Sequence, residues 1–150
     1  MLKITDKLWI GNSDDEKQSS YYHVVELVKS VLIVAHDMQP TNGWDGGVEY
    51  MQVGIVDGPG NQLATYHAAV LALVAMTRKG RVLVCCHDGG RSLAIVIMYL
   101  YLMGNGPSWD EHINRLSKKE ANLPLVHNTH KKAFFLMDWG MLTRVIDGEV

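Results

Sequence analysis

The stretch Val82-Leu83-Val84-Cys85-Cys86-His87-Asp88-Gly89-Gly90-Arg91-Ser92 limits the fold of this chain more than any other. A short β-branched run ends in two cysteines, a glycine pair offers a tight turn, and an apolar segment then runs from Ser92 to Met103. That order reads as a buried strand, a loop and a buried helix. Its surroundings repeat the alternation. Leu2 to Ile10 reads as strand, with a break offered at Asp6-Lys7. Ser13-Asp14-Asp15-Glu16 carries a helix-start signal, hydroxyl and carboxylates suited to free backbone N–H groups. Val31 to Ala35 is a second buried strand, and Val48 to Val56 alternates as a third strand, not a buried run, that stops at Asp57-Gly58-Pro59-Gly60. Leu63 to Thr77 has a long helical apolar pattern closed by Arg78, Lys79 and Gly80, cations and a glycine where a helix C-terminus favours them. Ser108 is placed to cap a helix from Trp109 to about Lys119, and one further helix is expected from Thr129 to about Arg144. Strands interleaved with helices predict an α/β fold with a central, mainly parallel sheet flanked by helices.

Composition bounds the rest. A chain of 150 residues with 47% hydrophobic and 20% charged residues predicts one domain, 1–150, with a conventional core. The net charge of -2 argues against bulk binding to nucleic acid. Residues 61–150 carry seven acidic and ten Lys or Arg residues, a mild bias toward an anionic substrate in that half. The N-terminal stretch has no long apolar run of the signal-peptide kind, and Leu93 to Met103 is too short to span a bilayer. A cytoplasmic protein without a membrane segment is therefore expected. Cys85 and Cys86, the only cysteines, are adjacent, so a bridge between them would be strained and reduced thiols are expected.

Ligands of open α/β sheets sit outside the carboxyl ends of strands, which is where this loop falls. Loop N–H groups and a helix N-terminus together make an anion-binding nest. Arg91 adds a guanidinium whose fork can grip two phosphate oxygens. The same field favours a thiolate, the reactive form of cysteine. A P-loop nucleotide site does not fit, because no Gly-Lys-Ser/Thr ending is present.

Cys85, five residues, then Arg91 and Ser92 resembles the Cys-x5-Arg-Ser/Thr signature of the protein tyrosine phosphatase superfamily. Along nearly its whole length the chain resembles the small dual-specificity phosphatases. Leu8-Trp9-Ile10-Gly11-Asn12 looks like their opening strand and turn, and the Tyr50-to-Asp57 segment sits where theirs carries the general acid. Asn122-Leu123-Pro124 followed by Phe134-Phe135 resembles their C-terminal pattern. Two positions depart from it. Val84 stands where the family usually has His before the nucleophile, and Asp88 stands where it usually has Gly.

The resemblance implies that Cys85 attacks phosphorus to form a phosphocysteine, while Arg91 and the amides of Cys86, His87, Asp88, Gly89, Gly90 and Arg91 hold the phosphate. It further implies that Asp57 protonates the leaving oxygen and Ser92 hydrogen-bonds the thiolate. The expected substrate is a phosphorylated protein or peptide, carrying phosphotyrosine and also phosphoserine or phosphothreonine, with no metal and no cofactor. Two other readings stand beside it: a non-protein substrate such as an RNA 5′ end or inositol phosphate, and a pseudophosphatase that binds phosphorylated partners. Asp45 is the next candidate acid, and Trp44 a candidate for the pocket entrance or an anchor of its own loop. Cys86 reads as loop filler or as a trap for an oxidised Cys85, and His87 faces either the phosphate or solvent. His127-x-x-His130 is the nearest thing to a metal-ligand pair and reads as surface decoration.

Overall fold

The computed structural model describes residues 1–41, 47–104 and 108–148. Two short strands open the chain, β1 (Leu2–Thr5) and β2 (Leu8–Gly11), and the break at Asp6-Lys7 is the turn of an antiparallel hairpin. Two short helices follow, α1 (Ser13–Lys17) and α2 (Ser19–Val24), then β3 (Ser30–Ile33) and β4 (Glu49–Gln52). The long helix α3 (Leu63–Lys79) leads to β5 (Val82–Cys85), and α4 (Gly90–Leu102) leaves it. Helices α5 (Trp109–Ser117), α6 (Asn128–Leu136) and α7 (Trp139–Ile146) complete the chain.

The sheet order is β1-β2-β5-β3-β4, parallel throughout except at the β1 edge. The strand that precedes the cysteine loop is thus central, paired with β2 on one side and β3 on the other. Every residue of β2, β3 and β5 is buried, as covered parallel strands require. Helix α4 packs on β2 and β5 and touches α3, α5, α6 and α7, which explains why Leu93 to Met98 are all buried.

Local chemistry sets the ends of these elements. Asn12, rather than Ser13, caps α1, its side chain accepting the Asp15 N–H while the Asp15 carboxylate accepts the Asn12 N–H. Ser108 caps α5 as expected. The single helix expected from Thr129 to Arg144 is instead two. Met137 turns to extended backbone, and the Asp138 carboxylate accepts the Met141 N–H to start α7. The third strand is shorter than its alternation predicts, since only Glu49–Gln52 finds ladder partners, on β3. The loop holding Trp44 and Asp45 lies outside the described residues.

Candidate active site

Four parallel strands end on one edge, and the segment after each supplies the site. Asn12 follows β2, Asp37 follows β3, Asp57 follows β4, and the loop of Cys86 to Gly89 follows β5 into α4. Three hydrogen bonds fasten this edge. Val34 N–H donates to the Cys85 carbonyl (2.9 Å), Cys86 N–H to that of Gly11 (3.4 Å), and Ser13 N–H to that of His87 (3.2 Å).

The two cysteines part company here. Cys85 is the last ladder residue of β5, flanked in register by Gly11 and Ile33. Burial pushes its thiol well above the ordinary value, and the carboxylates of Asp15 and Glu16 push the same way. Cys86 is the first residue past the ladder, and the loop folds over its sulfur. Gly89 N–H donates to Cys86 Sγ at 3.1 Å and Ser92 N–H at 3.4 Å. The loop amides therefore converge on Cys86 Sγ, whereas the Cys85 sulfur stays within the ladder. Counted from Cys86, the glycine three residues on is Gly89, which has the loop's positive φ of 91° and a left-handed conformation. Asp88 is outside the left-handed region, so no backbone strain falls on it. The residue before the sulfur is then Cys85, and four residues instead of five separate the sulfur from Arg91.

The other expected loop residues take particular partners. The Asp88 carboxylate, exposed at the rim, accepts the Gly90 N–H at 3.0 Å and lies 3.9 Å from Cys86 Sγ. The amides of Cys86 and Gly90 are thus already engaged, and Gly89 and Ser92 carry the cradle. Ser92 offers its amide to the sulfur, while its hydroxyl is turned 3.5 Å from the Gly11 carbonyl. Pro124 and Leu125 cover the turn closely. A Cβ on Gly90 would stand 2.3 Å from the Leu125 carbonyl oxygen, and one on Gly89 would stand 2.8 Å from Pro124 Cγ.

Arg91 is 2% exposed. Its Nη1 donates to Asp37 Oδ1 (2.8 Å) and to the Ile55 carbonyl (2.9 Å), while Nε has no partner among the described residues. Asp37 escaped the sequence reading, because only the pairing of β3 with β5 brings it here. Burial opposes its ionisation, yet the Arg91 hydrogen bond and charge, with His87 nearby, hold its carboxyl below the usual range. His87 leans on Asp37, its Nε2 lying 3.1 Å from the backbone carbonyl and 3.4 Å from Oδ2.

Asp57 stands after β4 with its side chain 39% exposed, and Oδ1 lies 3.2 Å from His130 Nε2. His130 was read as surface decoration and is completely buried. Among the described residues, no group of three or more His, Cys, Asp or Glu side chains is arranged to hold a metal ion, and no helix is long and apolar enough to cross a membrane.

No protein-family model matches the chain, and no curated protein matches it in sequence. Solved structures match its shape. DUSP15 superposes with a TM-score of 0.78 at 16% identity, over 100% of this chain and 96% of that one. Human DUSP28 gives 0.71 at 17%, over the whole of both chains. TpbA of P. aeruginosa, in a complex with phosphotyrosine, gives 0.66 at 13%, over 97% of this chain and 88% of that one. The chain has the fold of the small dual-specificity phosphatases.

Proposed function

We propose that this chain, 1–150, is a cysteine-dependent phosphomonoester hydrolase. Its substrates are phosphotyrosine and also phosphoserine or phosphothreonine in proteins or peptides, and its nucleophile is Cys86. The observation that carries the reading is Arg91. A guanidinium 2% exposed, with an unpartnered Nε, stands one residue before an amide that points at a loop-cradled sulfur. A buried cation with a spare donor at the carboxyl edge of a parallel sheet suits a tetrahedral oxyanion. The phosphotyrosine bound to TpbA supports the substrate class.

In the first step Cys86 Sγ attacks phosphorus in line, so an S–P bond forms as the ester P–O bond breaks. Asp57 gives its proton to the departing oxygen and keeps the electron pair as a carboxylate. In the second step water attacks phosphorus and the S–P bond breaks. Asp57 takes the water's proton, and the thiolate leaves under the amides of Gly89 and Ser92. Arg91 spreads the charge that builds on the non-bridging oxygens in both steps. The Asp37 carboxylate fixes one arm of that guanidinium and keeps it from swinging to solvent.

Steady-state hydrolysis of p-nitrophenyl phosphate and of a phosphotyrosine peptide tests the reading. Turnover inhibited by vanadate is expected, with Asp57→Asn lowering kcat for the peptide by roughly 10²-fold or more, the range of general acid catalysis. Phosphopeptide binding without turnover would replace the hydrolase by a binding protein. Turnover confined to inositol phosphates or RNA 5′ ends would move the substrate class.

A further inference from the structure

The residue that holds Asp57 comes from far along the chain. His130 on α6 is completely buried and engaged at both ring nitrogens. Nδ1 lies 2.7 Å from the Tyr66 hydroxyl on α3, and Nε2 lies 3.2 Å from Asp57 Oδ1. Tyr66 is in turn met by Asn61, whose Nδ2 lies 3.2 Å from the phenol oxygen. Asn61 also clamps the acid loop. Its Oδ1 accepts the Val56 N–H (2.8 Å), and its Nδ2 donates to the carbonyls of Val56 (2.8 Å) and Gly58 (3.2 Å).

The chemistry of these groups gives the chain of hydrogen bonds a direction. An amide NH₂ cannot accept, so the Tyr66 hydroxyl turns its lone pairs to Asn61 and its own hydrogen to His130 Nδ1. A neutral imidazole that accepts at Nδ1 carries its hydrogen on Nε2. At the far end an ionised Asp57 carboxylate only accepts, which requires the same tautomer. Burial lowers the basicity of His130 below its ordinary value, although Asp57 offsets part of this. His127 at the start of the same helix and Arg91 on α4 also disfavour the imidazolium. The ring is therefore a neutral donor at neutral pH.

We infer that Asn61, Tyr66 and His130 form a directional hydrogen-bond relay that fixes the His130 tautomer and pins Asp57 Oδ1, so that the acid's transferable proton sits on Oδ2. The inference rests on the reading of Asp57 as general acid and goes beyond it by naming what aims the carboxyl. His130 is a positioning residue and keeps its protonation state throughout. When Oδ2 gives up its proton to the leaving oxygen, negative charge appears on a carboxylate already accepting from Nε2–H. That hydrogen bond becomes charge-assisted as the transition state develops.

The test compares His130→Leu, His130→Gln and Tyr66→Phe, using p-nitrophenyl phosphate and phenyl phosphate as substrates. Phenol is much the poorer leaving group and depends more on a well-aimed acid. Replacement by Leu is expected to lower kcat for phenyl phosphate tenfold or more, to lower that for p-nitrophenyl phosphate less, and to leave KM within twofold. The Gln variant, whose amide can donate from the Nε2 position, should recover most of the loss, and Tyr66→Phe should fall between. Nitrogen-15 NMR of the wild-type ring should show Nε2 protonated and Nδ1 bare. Combining His130→Leu with Asp57→Asn should cost no more than Asp57→Asn alone, since both act through one carboxyl. A phenyl phosphate kcat within twofold of wild type in the Leu variant, or a proton found on Nδ1, overturns the relay. Should the Leu variant fail to fold, Tyr66→Phe and the NMR spectrum decide in its place. Impairment by Asp57→Asn with His130→Leu and Tyr66→Phe at full activity sinks the relay alone. Full activity in Asp57→Asn removes the general acid and the relay with it.

Discussion

Replacing each cysteine in turn separates two sulfurs that are neighbours in the chain and have different surroundings. Cys85 is completely buried, so Cys85→Ala removes one sulfur from a packed sheet without touching the loop amides. Losing about one methylene's worth of burial is worth about 0.8 kcal/mol. A residual void of about 20 Å³ adds about 0.5 kcal/mol at ~24 cal/mol per Å³. The sum, about 1.3 kcal/mol, lowers Tm by roughly 3–5 °C in a chain of this size. Turnover of p-nitrophenyl phosphate should stay within twofold of wild type. Cys86→Ser leaves a poor nucleophile beneath the same Gly89 and Ser92 amides. It should keep its fold and lose ~10³-fold or more in kcat, since the proposed covalent intermediate forms on this sulfur. Acid-quenched phosphoenzyme, digested and sequenced by mass spectrometry, should carry phosphate on Cys86. Phosphate on Cys85, or a Cys85→Ala enzyme that is folded and dead, would refute the assignment.

Three further outcomes follow from the same geometry. Asp88→Asn removes a rim carboxylate 3.9 Å from Cys86 Sγ but keeps an acceptor for the Gly90 amide. KM for a phosphate dianion should fall about two- to fivefold at low salt and less at high salt, because exposed charges are screened; an unchanged KM at low salt would show that this charge does not reach the substrate. Gly90→Ala drives a Cβ to 2.3 Å from the Leu125 carbonyl oxygen, a backbone atom that cannot rotate away. Overpacking of about 1–3 kcal/mol should lower Tm by roughly 3–10 °C, against the gain alanine usually brings to a helix, and a Tm at or above wild type would mean that the Pro124-Leu125 segment yields freely. His112 and His130 are both held below the ordinary histidine value by burial. The unfolded chain therefore binds protons more readily, so stability is full above about pH 6.5 and is lost as pH falls below it toward the lowered folded-state values. Thermal melts at pH 7.5 and 5.5 should show the lower Tm at 5.5, and equal values would contradict the burial of both rings.

Much of the scaffold could be read along the chain because it is written in local chemistry. The β-branched runs before His36 and before the cysteines became β3 and β5, and the apolar segment after Gly90 became α4. Asp57 was singled out because the resemblance puts a general acid at the end of the Tyr50-to-Asp57 segment, and the structure places it after β4. The division of the last helix was also legible in principle, since Asp138 before Trp-Gly-Met-Leu is an ordinary cap. The sustained apolar spacing on either side masked it.

What escaped depended on contacts between distant segments. Asp37 enters the site only because β3 lies beside β5, and nothing near Asp37 announces that neighbour. His130 looks like one of two exposed histidines until α6 folds onto the core and carries it to Tyr66 and Asp57, 64 and 73 residues away. The loop that closes on Cys86 was hidden for a subtler reason. A spacing rule counts positions from an arginine, whereas the loop amides close on the sulfur that lies beyond the last paired residue of the strand. The ladder ends at Cys85, opposite Gly11 and Ile33, so the chain is free to curl only from Cys86 onward. The glycine with positive φ is the better ruler, because a turn that wraps a sulfur needs that backbone at a set distance from it. Measured from Gly89 the sulfur is Cys86, and the shorter reach to Arg91 follows from a loop with one residue fewer.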